Sequence, residues 1–207
     1  MFAYCNNNPV MRIDTFGNRS YFINGISNDE KDDAPGYAKD FEEEMEECGA
    51  DDVILIPVYK SQSNLFLTGI GAIQVVLEML NCDIYTSTIV SRILADLSEN
   101  PLKEGETLNL IGYSGGGQLA LNVMEALASQ GITVDNVVLI GTPVAEIWDA
   151  PTRVSILFSS NDILSLNLGS GFDSYYVGHL AHGDYFKEQH IGNIAVLVSS
   201  ILQKGVG

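Results

Sequence analysis

Apolar residues in this chain fall into two alternating kinds of run. Short, nearly continuous β-rich stretches occur at 20–23 (Ser-Tyr-Phe-Ile), 52–58 with Val53-Ile-Leu-Ile56 at its centre, 107–111 (Thr-Leu-Asn-Leu-Ile), 137–140 (Val-Val-Leu-Ile) and 154–158 (Val-Ser-Ile-Leu-Phe). A shorter stretch lies at 175–177, and 11–16 is a candidate edge strand. Between them the apolar positions recur at helical spacing over about 35–48, over about 118–128, and over 191–203. Strands alternating with helices are the sequence habit of a parallel sheet wrapped by helices. Runs that are apolar at nearly every position suit strands covered on both faces. The pattern therefore predicts an α/β fold: a mostly parallel sheet of five to seven strands with helices on both faces.

Punctuation residues support these boundaries. Pro35 suits a first helical turn and Gly49 a helix end. In that helix the acidic run Glu42-Glu43-Glu44 and Glu46-Glu47 is interrupted by Phe41 and Met45, four apart, which reads as a solvated face over an apolar stripe. The segment 61–100 carries two helical patterns separated near Cys82 and Asp83. Its first half, with Leu65, Ile70, Ile73, Leu77 and Leu80 near helical spacing, reads as a core-packing helix or as a cap lining a pocket. Neither repeats nor a low-complexity linker divide the chain, so residues 1–207 are expected to form one domain, a size at which one large core can be buried.

Composition narrows the function. With 46% hydrophobic and 18% charged residues the chain is globular in character. Its formal net charge of −17, from 27 acidic and 10 basic residues, repels phosphate backbones and anionic lipid, so nucleic acid is a poor partner. Neutral esters, amides or glycosides suit such a surface better than strongly anionic substrates. Cys5, Cys48 and Cys82 have neither C-x-x-C nor metal-ligand spacing and read as reduced thiols. The first residues show no basic stretch followed by an apolar run, and the window 65–80 contains Gln74 and Glu78 and is short for a bilayer. The expectation is a cytoplasmic protein without stable membrane insertion.

One motif carries chemistry. Gly112-Tyr113-Ser114-Gly115-Gly116 matches G-x-S-x-G and sits between an apolar strand and a helix beginning near Gln118, the context a nucleophile elbow requires. A serine at the tip of such a turn is driven towards positive φ, and the close approach of strand and helix leaves no room for side chains two positions either side, where Gly112 and Gly116 stand. The hydroxyl is then presented at the positive end of a helix dipole. The competing reading is a phosphate-binding glycine loop. The stretch lacks the G-x-G-x-x-G order, however, and no Lys-Ser/Thr follows.

From Ser20 onwards the chain resembles the α/β-hydrolase superfamily, most specifically at 110–120, Leu-Ile-Gly-Tyr-Ser-Gly-Gly-Gly-Gln-Leu-Ala, which is similar to its lipase and esterase members. The small size resembles lidless or minimally capped forms. The resemblance implies a Ser-His-Asp triad, arranged in the order serine, acid, histidine, and no metal or organic cofactor. Ser114 is the implied nucleophile. His182 stands where the family places its base, in a segment His-Gly-Asp-Tyr-Phe that is similar to the His-x-Asp-Tyr of some members, with His179 and His190 as alternatives. Asp162 follows the strand 154–158 and is the implied acid, with Asp184, Asp173 and Asp149 as competitors. The oxyanion hole implied by the family takes the N–H of Gly115 and one from the loop after the first strong strand, where Asn24-Gly25-Ile26 stands in place of the usual His-Gly-x. Ile26 is the candidate there, and an ordinary Asn-Gly turn is the alternative. Ser27 and Tyr113 are candidates for substrate binding, and Ile147 and Trp148 for bordering the site. The implied substrate is a small-molecule or lipid-like acyl ester, with thioester hydrolysis, acyl transfer, or an inactive binding protein on the same fold as alternatives.

Overall fold

In a computed structural model of the chain, the described residues are 17–25, 34–49, 53–58, 83–143, 152–165 and 171–203. They form six strands, β1 (Asn18–Ile23), β2 (Val53–Ile56), β3 (Thr107–Tyr113), β4 (Asn136–Ile140), β5 (Arg153–Phe158) and β6 (Asp173–Tyr176). Four helices accompany them: α1 (Gly36–Glu47), α2 (Asp83–Glu99), α3 (Gly115–Ala128) and α4 (Glu188–Gln203). Single 3-10 turns occupy Ile163–Ser165 and His182–Asp184. The strands make one sheet in the order β2-β1-β3-β4-β5-β6, and every pairing is parallel.

Alternation along the strands sorts the core into two layers, because successive side chains point to opposite faces. Tyr21, Ile23, Leu108, Leu110, Val137, Leu139 and Ile156 face α2 and α3, where Ile89, Ile93, Leu119 and Val123 cover them. Phe22, Ile111, Val138, Ile140 and Leu157 face α1 and α4, against Phe41, Met45, Ile194 and Val198. Each such side chain contributes about 1.5–3 kcal/mol on full burial. The predicted stripe of α1 is present: Ala38, Phe41 and Met45 are buried, while Glu43, Glu46 and Glu47 are exposed. Helix α2, the described part of 61–100, packs on the sheet through Ile89, Val90 and Ile93. The candidate strand at 11–16 and the first helical pattern, 61–82, lie outside the described residues.

Several boundaries moved. β3 runs two residues further than its apolar run, through Gly112 and Tyr113, because both continue the ladder to β4 opposite Leu139 and Ile140. Helix α4 begins at Glu188, three residues before the first apolar position, since the carbonyl of Lys187 accepts from His190 and Ile191 and closes the first turn. β6 spans 173–176 rather than 175–177 and is the half-exposed edge of the sheet.

Strand order creates the crevice that matters. From β1 the chain crosses by α1 to β2 on one side, whereas from β3 it crosses by α3 to β4 on the other. Right-handed crossovers in opposite directions place α1 and α3 on opposite faces of the sheet, and the switch falls at the carboxyl ends of β1 and β3. Gly25 follows the first of these strands and Ser114 the second. A Cβ built on Gly25 would stand 3.4 Å from that of Ser114. Among the described residues no helix is long and apolar enough to cross a membrane, and Cys48 is half-buried. Cys5 and Cys82 lie outside the described residues.

Candidate functional site

Ser114 caps α3 with φ 55° and ψ −125°, making it the one described non-glycine residue with positive φ. Such a conformation costs on the order of 1–3 kcal/mol and persists only where the surroundings impose it. Here they do. Its N–H donates to the Ile140 carbonyl at 2.9 Å, and its carbonyl accepts from Gly117 N–H at 3.1 Å and from the Thr142 hydroxyl at 3.1 Å. The glycines are required by contact: a Cβ on Gly116 would overlap the carbonyl oxygens of Ile23 and Asn24, and one on Gly112 would overlap the Gly117 backbone. The first N–H groups of α3, that of Gly115 foremost, have no carbonyl a turn earlier to bond and line the positive end of the helix.

The other two implied side chains arrive from the far side of the sheet. Asp162 lies four residues beyond β5 and is 3% exposed, and His182 lies in the 3-10 turn after β6. His182 Nε2 stands 2.8 Å from Ser114 Oγ, and its Nδ1 stands 3.0 and 3.1 Å from the two Asp162 oxygens. An ionised carboxylate only accepts, so Nδ1 carries the proton and Nε2 is left to accept from the serine hydroxyl. Burial alone would raise the Asp162 carboxyl, but the His182 hydrogen bond and charge, the Leu164 N–H and the Tyr185 hydroxyl together hold it below the usual aspartate value. The carboxylate is thus kept ionised behind the imidazole.

The loops that carry these two residues are stitched together. Ser159 Oγ donates to the Gly178 and Leu180 carbonyls at 2.9 and 2.7 Å, Val177 N–H to the Phe158 carbonyl at 3.0 Å, and Asn161 Nδ2 to the His179 carbonyl at 3.1 Å. Preorganisation of this kind holds one side chain in register with another before any substrate arrives.

No protein-family model matches the chain, and no curated protein matches it in sequence. Solved structures do resemble it. Carboxyl esterase 2 from the mycorrhizal fungus Tuber melanosporum is similar at a TM-score of 0.60 and 13% identity, over 93% of this chain and 79% of that one. YbtT, a type II thioesterase from the yersiniabactin NRPS/PKS biosynthetic pathway, is similar at 0.57 and 10% identity, over 95% and 97% of the two chains. The RedJ thioesterase from the prodiginine biosynthetic pathway in Streptomyces coelicolor is similar at 0.54 and 10% identity, over 90% and 86%. The chain has the α/β-hydrolase fold.

Within this α/β-hydrolase fold the competing candidates stand elsewhere. His179 Nδ1 contacts Ser160 Oγ at 2.6 Å, and its ring faces the exposed Tyr176. His190 lies in the first turn of α4 beside Gln189. Asp184 accepts from Ala181 N–H at 3.2 Å and pairs with Lys187, and Asp173 pairs with Arg153 on the sheet edge at 2.6 Å. Asp149, Ile147, Trp148, Ile26 and Ser27 lie outside the described residues. Asn24 does not stand free in the loop. Its side chain clamps Val58, accepting from the Val58 N–H at 2.7 Å and donating to its carbonyl at 3.2 Å, which ties the ends of β1 and β2. The Gly25 N–H donates to the Tyr37 hydroxyl at 3.1 Å and is thereby occupied. Among the described residues no group of three His, Cys, Asp or Glu is placed to hold a metal ion.

Among the described residues three tyrosines surround the site, two of which the sequence pattern does not single out. Tyr113, a candidate for the substrate side, is instead 8% exposed and lies against the imidazole, with its hydroxyl donating to the His182 carbonyl at 2.6 Å. Its place on β3 turns it towards α1 and α4, where Phe186 and Tyr37 pack edge-on to it. Tyr185 donates to Asp162 Oδ2 at 2.9 Å. Burial raises all three phenols, that of Tyr37 up to about 12, so each stays protonated near neutral pH. The motif offered a signal for Tyr185, three residues after His182, but none for Tyr37, which reaches the site only through packing.

Proposed function

We propose that this chain is a serine hydrolase that cleaves carboxylic esters through Ser114, His182 and Asp162. The observation that carries the reading is the unbroken run of hydrogen bonds from a strained elbow serine through one imidazole to a buried carboxylate. In this reading His182 Nε2 takes the Ser114 proton as Oγ attacks the acyl carbonyl, and Asp162 stabilises the imidazolium that forms. The Gly115 N–H at the head of α3 holds the developing oxyanion, with the Ile26 N–H as the candidate second donor. The imidazolium then protonates the departing alkoxide, and an acyl-enzyme remains on Ser114. Water attacks that ester with His182 again as base, which releases the acid and restores the serine. A donor lost from the oxyanion site costs on the order of 2.7–4 kcal/mol in comparable enzymes.

A second reading, thioester hydrolysis, is favoured by two of the structural neighbours, both thioesterases. The same chemistry serves either carbonyl, since the leaving group changes and the attacking group does not. A fluorophosphonate probe and a panel of p-nitrophenyl esters with matched acyl thioesters test both readings. We expect the probe to label the natural chain and not Ser114→Ala, and ester turnover to exceed thioester turnover. Equal labelling of both chains excludes Ser114 as the nucleophile. Turnover of thioesters alone replaces the ester reading by the second one, and labelling without turnover of either points to a binding protein or an acyltransferase.

A further inference from the structure

Among the described residues the Asp162 carboxylate receives two donors besides the imidazole. Leu164 N–H reaches Oδ1 at 2.9 Å from the carboxylate's own loop, and the Tyr185 hydroxyl reaches Oδ2 at 2.9 Å from the loop of His182. An aspartate's last torsion is soft and broad. One donor on Oδ1 leaves Oδ2 free to swing, whereas a donor on each oxygen fixes the plane in which both face Nδ1.

The surroundings are built around this contact. Tyr185 is fully buried, and a buried phenol O–H needs an acceptor. Packing alone would be served as well by phenylalanine. Gly141, at φ 54°, passes beside the pair, and a Cβ there would stand 2.9 Å from both Asp162 Oδ2 and the Tyr185 ring. The backbone therefore leaves the space that the phenol and the carboxylate share. Tyr185 also stands three residues after His182, so one short turn delivers the imidazole and the phenol to the same carboxylate.

We propose that Tyr185 is a positioning residue for the Ser114 site, its hydroxyl fixing the Asp162 carboxylate and sharing its negative charge. The inference rests on the serine hydrolase reading. Tyr185 touches no reacting atom and acts through Asp162. Without the phenol the carboxylate swings more widely and, relieved of a donor, holds a protonated imidazole more tightly. The acid limb of activity then moves to higher pH.

The test is a double-mutant cycle on the full chain, with Tyr185→Phe, Asp162→Asn and the double variant. The readouts are p-nitrophenyl butyrate hydrolysis across pH and the rate of fluorophosphonate labelling. Tyr185→Phe is expected to lower kcat about tenfold, the scale of one hydrogen bond to a charged group, with KM within about twofold. Its acid limb is expected to move up in pH. In the Asp162→Asn background the same change is expected to add no further loss. Fluorotyrosine at position 185 keeps the ring and sharpens the donor, so the acid limb is expected to move down, and this arm serves if Tyr185→Phe fails to fold. A natural kcat and acid limb in Tyr185→Phe, an undiminished loss in the Asp162→Asn background, or no shift with fluorotyrosine each overturn the inference. Failure of the natural chain both to hydrolyse and to take the probe overturns the hydrolase reading, and this inference with it.

Discussion

Tyr113 and His182 lie face to face, with ring centroids 5.2 Å apart and planes 19° from parallel, while the Tyr113 hydroxyl donates to the His182 backbone carbonyl. One residue of the elbow therefore holds the imidazole by its face and its turn by the main chain. The two contacts separate by mutation. Tyr113→Phe keeps the stack and strands the carbonyl, so unfolding free energy is expected to fall by about 1 kcal/mol with a several-fold loss of ester turnover. Tyr113→Ala removes the stack as well and is expected to cost about 3–5 kcal/mol. Urea unfolding of the three chains reads the difference, and equal losses in the two variants would mean that the ring contributes nothing.

Gly116 and Gly36 are expected to respond oppositely to alanine. At Gly116 the new methyl meets backbone oxygens of β1, which cannot turn aside, so Gly116→Ala is expected to destabilise by about 1–3 kcal/mol or more and to abolish labelling of Ser114. Gly36 is exposed at the first turn of α1, and no described residue lies within 4 Å of a built Cβ. There alanine is expected to stabilise by about 0.4–1 kcal/mol, chiefly by restricting the unfolded chain. Thermal unfolding measures both, and a harmless Gly116→Ala contradicts the packing of α3 on β1.

Asn24 carries a structural prediction of its own. Asn24→Ala leaves the Val58 N–H buried without an acceptor, at about 1–3 kcal/mol. Asn24→Asp keeps the acceptor but loses the donor to the Val58 carbonyl and buries a charge, so it is expected to be worse than alanine above the carboxylate range and to recover as the pH falls through it. Denaturant midpoints at two pH values decide the order.

Acid stability follows from two aspartates. Burial opposes ionisation of Asp162 and Asp96, but hydrogen bonds and charges, from His182 at the first and from Tyr21, Asn100 and Arg19 at the second, hold both below the ordinary value of about 3.9. A carboxyl depressed by folding adds stability that is present above its unfolded value and lost as pH falls through its folded one. The natural chain is therefore expected to lose stability below about pH 4. Asp96→Asn is expected to start less stable at neutral pH and to show a flatter acid dependence. Parallel acid profiles in the two chains would exclude Asp96 as a contributor.

Much of this was legible along the chain because it is local. Alternating apolar runs named all six described strands, since burial on both faces leaves its mark on every residue of β3 and β4. The elbow was legible for the same reason: a serine forced to positive φ needs glycines at fixed offsets, and Gly112 and Gly116 stand there. Asp162 and His182 were legible as residues following strands, although their meeting was not, because a distance between two loops has no period and no spacing. Their 3.0 Å contact depends on β5 and β6 lying side by side and on Ser159 stitching the loops above them. Asn24 shows the limit of local reading. As part of Asn-Gly it suggests a turn or an oxyanion loop, whereas its partner is Val58, brought near only by the pairing of β1 with β2. Which elements form and which hydroxyl is strained can be read along the chain, since both follow from neighbours within a turn or a strand. Which imidazole, which carboxylate and which phenols gather around it emerges from the folded sheet, because strand order is what turns residues far apart in the chain into hydrogen-bonded partners.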